Sequence, residues 1–348
     1  MELSTLWFIV VAVLWTGYFI LEGFDFGVGM LVGLLGRKEK NRRVMINTIG
    51  PVWDGNEVWL ITAGGATFAA FPEWYATLFS GLYLPLFLIL LALIARGVAF
   101  EYRAKRKHMA WKRAWDWCII LGSFIPALVF GVGFANFARG LPIVREEGRR
   151  WIMETSVGNF FGLFTPYALL GGVLFVAIFL THGAIYISLK TSGPIREAAR
   201  TFAGRVGIAA AVLMGAFMIW TAAAHGTGVV TWVTAIVATV AVLIALAANA
   251  KAREGWAFVS TVASVGTMMV TLLTSLFPYA IKALEPANHM LASDAASSHH
   301  TLVIMSIAAL VAMPVVLLYQ GWTFWVFRRR ISTKNLPDEA PEPATTDA

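Results

Sequence analysis

Long apolar runs alternate with short charged stretches along most of the chain. A helix that crosses a bilayer needs about 20 mostly apolar residues. On this criterion the sequence predicts nine transmembrane helices, at about 5–35, 50–71, 75–101, 115–138, 159–189, 203–224, 229–249, 255–280 and 301–327. No soluble domain and no strong repeat interrupts the pattern. We therefore expect an all-α integral membrane protein with a single nine-helix domain over residues 1–330.

Composition agrees with the hydropathy pattern. Of the 348 residues, 58% are hydrophobic and 14% are charged, whereas a soluble domain has about 25% charged residues. Residues 331–348 form a short tail that is Pro-rich and acidic, and we expect it to be disordered. The single cysteine, Cys118, excludes an internal disulfide and any cysteine-ligated iron–sulfur or zinc site built from this chain alone.

The basic residues predict the orientation in the membrane. Most of the 27 Lys and Arg residues follow the odd-numbered predicted helices. The opposite side has Arg139, Arg145, Arg149, Arg150 and Lys282. By the positive-inside rule, the N-terminus is outside and the C-terminus is cytoplasmic. The net charge of +7 is thus a topology signal, and we expect no nucleic-acid partner.

Four carboxylates lie inside the first two predicted helices, as the pairs Glu22 and Asp25, then Asp54 and Glu57. Residues three apart share a helix face. An ionised acid at the bilayer centre costs roughly 2.5–3.5 kcal/mol on insertion scales. We therefore expect all four to face protein or trapped water. If the two helices are neighbours, the acids form one polar seam, which is either a proton relay or a set of interhelical hydrogen bonds.

Other polar groups accompany these acids. Trp53 and Asn56 lie beside the second pair. Arg96, near the cytoplasmic end of the third predicted helix, either pairs with a buried acid or extends its side chain toward the interface. Glu101 is near the membrane boundary and is expected to be interfacial.

The histidines argue against a haem bound by this chain. Membrane redox proteins commonly hold haem by His or Met axial ligands. Only His182 lies within a predicted helix, near its cytoplasmic end, so no two helices each offer a mid-membrane histidine. We therefore predict no haem ligated by this chain and no metal site.

Several of these stretches, taken together, resemble subunit II of the cytochrome bd quinol oxidases. The resemblance covers the membrane region nearly end to end. It is carried by EGFDFGVGM at 22–30, RRVMIN at 42–47, GPVWDGNEVWLITAGG at 50–65, RGVAFEYR at 96–103, and by Trp115–Trp117, Gly158–Phe161 and Phe277–Pro278.

The resemblance implies a nine-helix subunit that pairs with a haem-bearing subunit I in a bacterial cell membrane. Subunit I would carry two b-type haems, haem d and the quinol-oxidising loop. The complex would oxidise quinol on the outer side and reduce oxygen to water with cytoplasmic protons, which generates a proton gradient without pumping. A bound quinone and small accessory subunits also occur in such complexes.

The resemblance also implies roles for particular residues. Asp25 and Asp54 match the family's proton route, with Trp53 beside it. Glu57 stands where some relatives have Gln, and Glu22 is on the face of Asp25. Two other interpretations of the buried acids remain open, namely a proton-coupled transporter and a purely structural membrane scaffold.

Overall fold

The structure is a computed structural model that describes residues 2–146, 150–154 and 156–335. Within these ranges the chain forms thirteen α-helices. They are α1 (Leu3–Leu34), α2 (Glu39–Ile49), α3 (Trp53–Ala70), α4 (Pro72–Gly81), α5 (Tyr83–Tyr102), α6 (Met109–Arg139), α7 (Val157–Phe161), α8 (Pro166–Lys190), α9 (Pro194–Ala224), α10 (Val229–Ala250), α11 (Glu254–Leu276), α12 (Ala292–Ala295) and α13 (His299–Val326). Short 3₁₀ turns follow α5, precede β4 and follow α13.

The strands are confined to two connections between helices. In the α6–α7 connection, β1 (Ile143–Arg145) pairs antiparallel with β2 (Trp151–Met153). In the α11–α12 connection, β3 (Tyr279–Ile281) pairs antiparallel with β4 (Met290–Leu291). A bridge between Leu141 and Ala283 joins the two connections, so they form one cap. The membrane region itself is α-helical, as predicted.

Eight helices in the described part of the chain are long and apolar enough to cross a membrane: α1, α5, α6, α8, α9, α10, α11 and α13. Helix α3 is shorter, with 18 residues, and an α-helix of that length spans about 27 Å. Asp54, Asn56 and Glu57 lower its hydropathy. Nine crossings, the outside N-terminus and the single-domain boundary stay predictions.

Antiparallel packing gives the bundle two distinct ends. We call the end where α1, α5, α8 and α10 terminate the basic end, because most Lys and Arg residues lie there. The other end, where α3, α6, α9 and α11 terminate, is the capped end, since it carries all four strands. Residues 331–335 of the predicted tail are ordered at the basic end, where Ile331 bridges to Thr191. The rest of the tail lies outside the described residues.

Proline positions explain where the predicted boundaries are wrong. The run predicted as one helix at about 75–101 is divided at Leu82 into α4 and α5. Pro85 has no N–H to donate to the carbonyl of Gly81, so the helix cannot continue through this turn unbroken. The helix predicted from about 159 begins instead at Pro166, after the separate α7, with Thr165 capping it. Helix α2, amphipathic and outside the long apolar runs, was not predicted.

Glycines allow the central helices α1 and α8 to pack closely. A Cβ at Gly27 would lie 1.9 Å from the carbonyl oxygen of Phe179, and a Cβ at Gly183 would lie 2.5 Å from the backbone of Gly27. Helices α1 and α8 therefore touch backbone to backbone. Around this contact Phe19 packs on other buried aromatic rings: Phe130, Phe134, Phe175 and Phe179.

A charge network holds α2 across the basic end. Arg103 donates to Glu39 at 2.8 and 3.0 Å and to Asp116 at 2.6 Å. Arg42 forms an ion pair with Asp116 at 3.0 Å, and Lys112 forms one with Glu39 at 3.4 Å. Burial raises the pKa of Glu39, but hydrogen bonds and charge from Arg103 and Lys112 outweigh it, so the net pKa is below 4.5. The network therefore links α2 to α6.

This network is expected to make stability depend on pH. Because the folded-state pKa of Glu39 is depressed, its stabilisation is complete above the unfolded pKa and is lost as pH falls through the folded value. Charge-assisted hydrogen bonds of this kind contribute about 1.5–3 kcal/mol. Thermal unfolding of wild type and Glu39→Gln should differ at pH 7, and the difference should shrink below about pH 4. An undiminished difference at pH 3.5 would contradict this assignment.

Candidate functional site

Three helices bring a cation and two acids together inside the bundle. Arg96 on α5 donates through Nη1 to Glu22 on α1, and also to Glu57 Oε1 on α3 at 3.0 Å. The side chains of Arg96 and Glu22 are 0% exposed and that of Glu57 is 19% exposed. Arg96 therefore pairs with buried acids in the structure and does not extend its side chain toward the interface. We call Tyr18, Glu22, Asp25, Asn56, Glu57, Arg96 and Gln320 the polar cluster.

Local packing explains why a whole arginine fits here. A Cβ at Gly122 on α6 would lie 2.6 Å from Ala92 O and from Arg96 Cβ, so only glycine permits this approach of α6 to α5. The rings of Phe26 and Phe100 lie 4.9 and 5.4 Å from Arg96 Cζ. Aromatic faces at this distance stabilise a desolvated guanidinium. The arginine is therefore held between acids and aromatic rings.

A second set of hydrogen bonds extends the polar cluster across the bundle. Asn56 Nδ2 on α3 donates to Asp25 Oδ2 on α1 at 2.7 Å. Gln320 Nε2 on α13 donates to Asn56 Oδ1 at 2.9 Å. Asp25 and Asn56 are both fully buried. In the structure α1 and α3 are therefore neighbours, and α13 is a third partner of the polar cluster.

Several buried polar atoms in the polar cluster have no hydrogen-bond partner among the described residues. They are the Tyr18 hydroxyl, Glu22 Oε2, Asp25 Oδ1, and Arg96 Nε and Nη2. Most buried polar groups are hydrogen-bonded to protein or to ordered water. Since these atoms converge from α1 and α5, they suit a small group of ordered waters.

The structure separates Asp54 from the other three acids. Glu22 and Asp25 are fully buried and Glu57 is partly buried, as expected for acids that face protein. Asp54 is exposed on the surface of the isolated chain, so for this residue the expectation of facing protein or trapped water stays a prediction. Glycine follows it at position 55, and a Cβ there would lie 3.5 Å from Gln320 Oε1. Asp54 thus lies beside the α3–α13 contact.

The remaining predicted residues lie around this site. Trp53 packs on Phe100 with ring centroids 4.9 Å apart, and its indole is 3.6 Å from a Cβ built at Gly97. Trp53 therefore packs on Phe100, whose ring in turn lies against the Arg96 guanidinium. Glu101 is exposed at the basic end of α5, which agrees with an interfacial position.

Sequence reasoning missed Tyr18 and Gln320. Tyr18 lies four residues before Glu22, hence on the same face of α1, and its hydroxyl is buried without a partner among the described residues. Gln320 is a lone amide in the apolar run of α13. Counting only ionisable groups overlooks both signals, because a phenol and an amide carry no charge.

One side of the bundle is left uncovered. In α13 only Leu302 is buried, and α5 exposes large apolar side chains such as Leu84, Phe87, Leu91 and Ile94. Asp54 is exposed on the same side, beside Gln320. A carboxylate at membrane depth is costly against lipid. This side therefore suits a protein partner better than lipid alone.

His182, the histidine within a predicted membrane helix, is not free to ligate a haem iron. His182 has both ring nitrogens engaged, with Thr261 Oγ1 at 2.7 Å and with Ile20 O at 3.1 Å. Across residues 2–146, 150–154 and 156–335, no group of three or more His, Cys, Asp or Glu side chains is placed to hold a metal ion.

An apolar cavity lies nearer the capped end. Its volume is about 580 Å³, and α1, α3, α4, α5 and α6 contribute to its wall. Trp15, Leu60, Phe68, Trp74 and Phe130 are among the residues that line it, and no charged side chain does. The cavity suits an apolar molecule and is chemically distinct from the polar cluster.

Comparison with known proteins places this arrangement in a family. Residues 3–327 match the family described as "Cytochrome bd terminal oxidase subunit II". The chain is 41% identical over 338 residues to cytochrome bd ubiquinol oxidase subunit 2 of Bacillus subtilis, covering 96% of this chain and 98% of that one. It is 35% identical over 369 residues to cytochrome bd-I ubiquinol oxidase subunit 2 of Escherichia coli, covering 96% of each. The fold resembles a chain of the bd oxidase from Geobacillus thermodenitrificans, with a TM-score of 0.74, 17% identity, and coverage of 94% and 99%.

Proposed function

Since this chain belongs to the cytochrome bd terminal oxidase subunit II family, we propose that it is the haem-free partner of a haem-bearing subunit I. The complex oxidises quinol and reduces oxygen to water. In this proposal the haems, two of b type and one haem d, belong to subunit I. The present chain supports that subunit and passes protons from the cytoplasm toward its oxygen-reducing site.

The polar cluster is the observation that carries this proposal. Two carboxylates, Glu22 and Glu57, pair with one buried cation, Arg96, and a third, Asp25, is buried in the same cluster with a hydrogen bond from Asn56. In a low-dielectric site not all three can be ionised at once, because only one is neutralised by the arginine. At least one therefore holds a proton and can pass it on. The unpaired oxygen and nitrogen atoms provide contacts for the water that such a transfer needs.

The order of groups suggests a direction for the proton. Asp54 begins the route at the basic end of α3, and Glu57 follows one turn later. Arg96 Nη1 bonds both Glu57 and Glu22, so protonation of one acid affects the other. Tyr18 lies one turn beyond Glu22, deeper in the bundle. Its hydroxyl both donates and accepts, so it can extend the relay.

The uncovered side of α3, α5 and α13 is the proposed contact with subunit I. A partner there would cover the Asp54 carboxylate and the amide of Gln320, and so remove the cost of exposing them to lipid. Asp54 would then lie at the subunit boundary, at the point where the proposed proton route begins. This placement joins the assembly role and the proton role in one surface.

The proposal includes an orientation and a location. With the N-terminus outside, the basic end faces the cytoplasm of a bacterial cell and its plasma membrane surrounds the bundle. Protons consumed in water formation would enter from that side, while quinol releases its protons outside. The oxidase would generate a proton gradient without pumping. Residues 1–330 form one membrane domain in this proposal.

Replacing Asp54 with asparagine tests the proton role. Asparagine keeps the size and polarity of the side chain but cannot carry a proton, so oxygen consumption per haem should fall at least about tenfold. Haem absorption spectra and yield of the complex should stay normal. Glu197→Gln is the control, because Glu197 is an exposed acid at the basic end and its ion pair among the described residues is with Arg200 at i+3.

The outcome also separates the alternative roles. A structural scaffold predicts poor assembly of Asp54→Asn but normal turnover per assembled haem. A proton-coupled transporter predicts a chain that purifies alone and without haem colour. Normal turnover in a spectrally intact Asp54→Asn complex would contradict the proton role at this residue.

A further inference from the structure

Three basic side chains converge at the capped end, far from the polar cluster. Arg139 ends α6, His225 follows α9, and Lys282 follows β3. Lys282 Nζ donates to His225 O at 3.2 Å, and Arg139 Nη1 donates to Gly162 O at 3.1 Å. All three side chains are partly buried. They form what we call the outer basic cluster.

No described carboxylate forms an ion pair with Arg139 or Lys282. Burial, followed by the charges of Lys282 and Arg139, lowers the pKa of His225, and burial alone lowers the pKa of Lys282. Partly desolvated cations are costly when no anion accompanies them. These residues also run against the positive-inside bias of the rest of the chain. An anionic ligand at this position would neutralise these charges.

An apolar groove lies about two helical turns from His225, the member of the outer basic cluster that follows α9. It lies between α9 and α10, has a volume of about 170 Å³, and is lined by Gly215, Met218, Ile219, Trp232, Ala235, Ile236, Thr239 and Val240. Ile219 is six residues before His225, which is about 9 Å along a helix. Trp220 and Trp232 are exposed at this level, as aromatic side chains commonly are where a helix meets the lipid headgroups.

We propose that the outer basic cluster binds the phosphate of an anionic phospholipid, with one acyl chain in the α9–α10 groove. Basic pockets between transmembrane helices bind anionic headgroups in this way. The phosphate would accept hydrogen bonds from Lys282 Nζ and from the free nitrogens of Arg139. The polar headgroup and the apolar chain would thus be recognised by adjoining parts of one site.

Native mass spectrometry of the intact, delipidated oxidase complex tests this site. Wild type should bind phosphatidylglycerol more tightly than zwitterionic phosphatidylcholine. The double variant Arg139→Gln, Lys282→Gln should weaken phosphatidylglycerol binding about 30-fold, since each basic side chain near a lipid surface contributes on the order of fivefold. Lys251→Gln, an exposed lysine at the basic end, is the control and should leave binding unchanged.

A groove variant and a competition experiment keep the test decisive if the double variant assembles poorly. A Cβ at Gly215 would lie 3.7 Å from Thr239 Cγ2, in ordinary contact, so Gly215→Leu fills the groove without altering charge. It should weaken phosphatidylglycerol binding, and millimolar inorganic phosphate should not displace the lipid. Equal binding of both lipids by wild type, or displacement by phosphate alone, would overturn the proposal.

Discussion

Replacing Arg96 with glutamine is expected to prevent accumulation of the assembled complex. The guanidinium is fully buried and pairs with Glu22 and Glu57. Removing one partner of a buried pair costs about 3–5 kcal/mol, because the other charge stays buried without compensation. That is a large part of the roughly 5–15 kcal/mol that stabilises a typical protein. Haem-containing complex per milligram of membrane protein should therefore fall to a small fraction of the wild-type yield.

A charge-neutral double variant separates loss of charge balance from loss of packing. Glu22→Gln combined with Arg96→Gln removes the fully buried pair and leaves the net charge of the polar cluster unchanged, and replacements of this kind are often close to neutral. Glu57 loses its cation in both variants, so the comparison isolates the Glu22–Arg96 pair. The yield of the double variant should be well above that of Arg96→Gln alone. Wild-type yield of the single variant would show that the pair does not stabilise the bundle.

Replacing Asp25 with asparagine should leave assembly intact and depress turnover by roughly 10²-fold, the range commonly lost with a proton-transferring group. Asparagine is almost isosteric, and its amide oxygen can still accept the hydrogen bond from Asn56 Nδ2 that Asp25 Oδ2 accepts at 2.7 Å. The packing of α1 on α3 is therefore preserved. Only the ability to bind and release a proton is lost.

The control for Asp25→Asn is Asp294→Asn, which makes the same chemical change at an exposed position on the capped end. Oxygen consumption, measured per haem with saturating quinol, should match wild type in the control. A purely structural Asp25 would instead give normal turnover per haem with a lower yield of complex. A proton-transfer role therefore lowers turnover per haem at normal yield, whereas a structural role lowers the yield at normal turnover.

Much of this molecule can be predicted from its sequence, for physical reasons. Apolar runs near 20 residues have few alternatives to membrane-spanning helices, and most of the predicted spans match helices of the structure. The expense of buried acids also predicts correctly that Glu22 and Asp25 face the protein interior. The same argument could not decide whether Arg96 pairs with an acid. A long basic side chain can also reach the interface at little cost in free energy.

Features that depend on tertiary contacts were not predictable. The separate helix α2 is held by the charge network of Arg103, which hydropathy does not register. Helical periodicity places Asp54 and Glu57 on one face of α3. Neighbouring helices nevertheless cover Glu57 and leave Asp54 exposed. Tyr18 enters the polar cluster because packing against Phe19 and Phe130 holds its hydroxyl inside.

Proton uptake by the complex tests the central claim most directly. Oxygen is mixed with the fully reduced complex, and a pH-indicator dye reports uptake while haem absorption reports oxygen reduction. If the acids of α1 and α3 carry the protons, Asp25→Asn should slow proton uptake by roughly 10²-fold, while oxygen binding to haem stays as fast as in wild type. Proton uptake at the wild-type rate in Asp25→Asn would contradict the account.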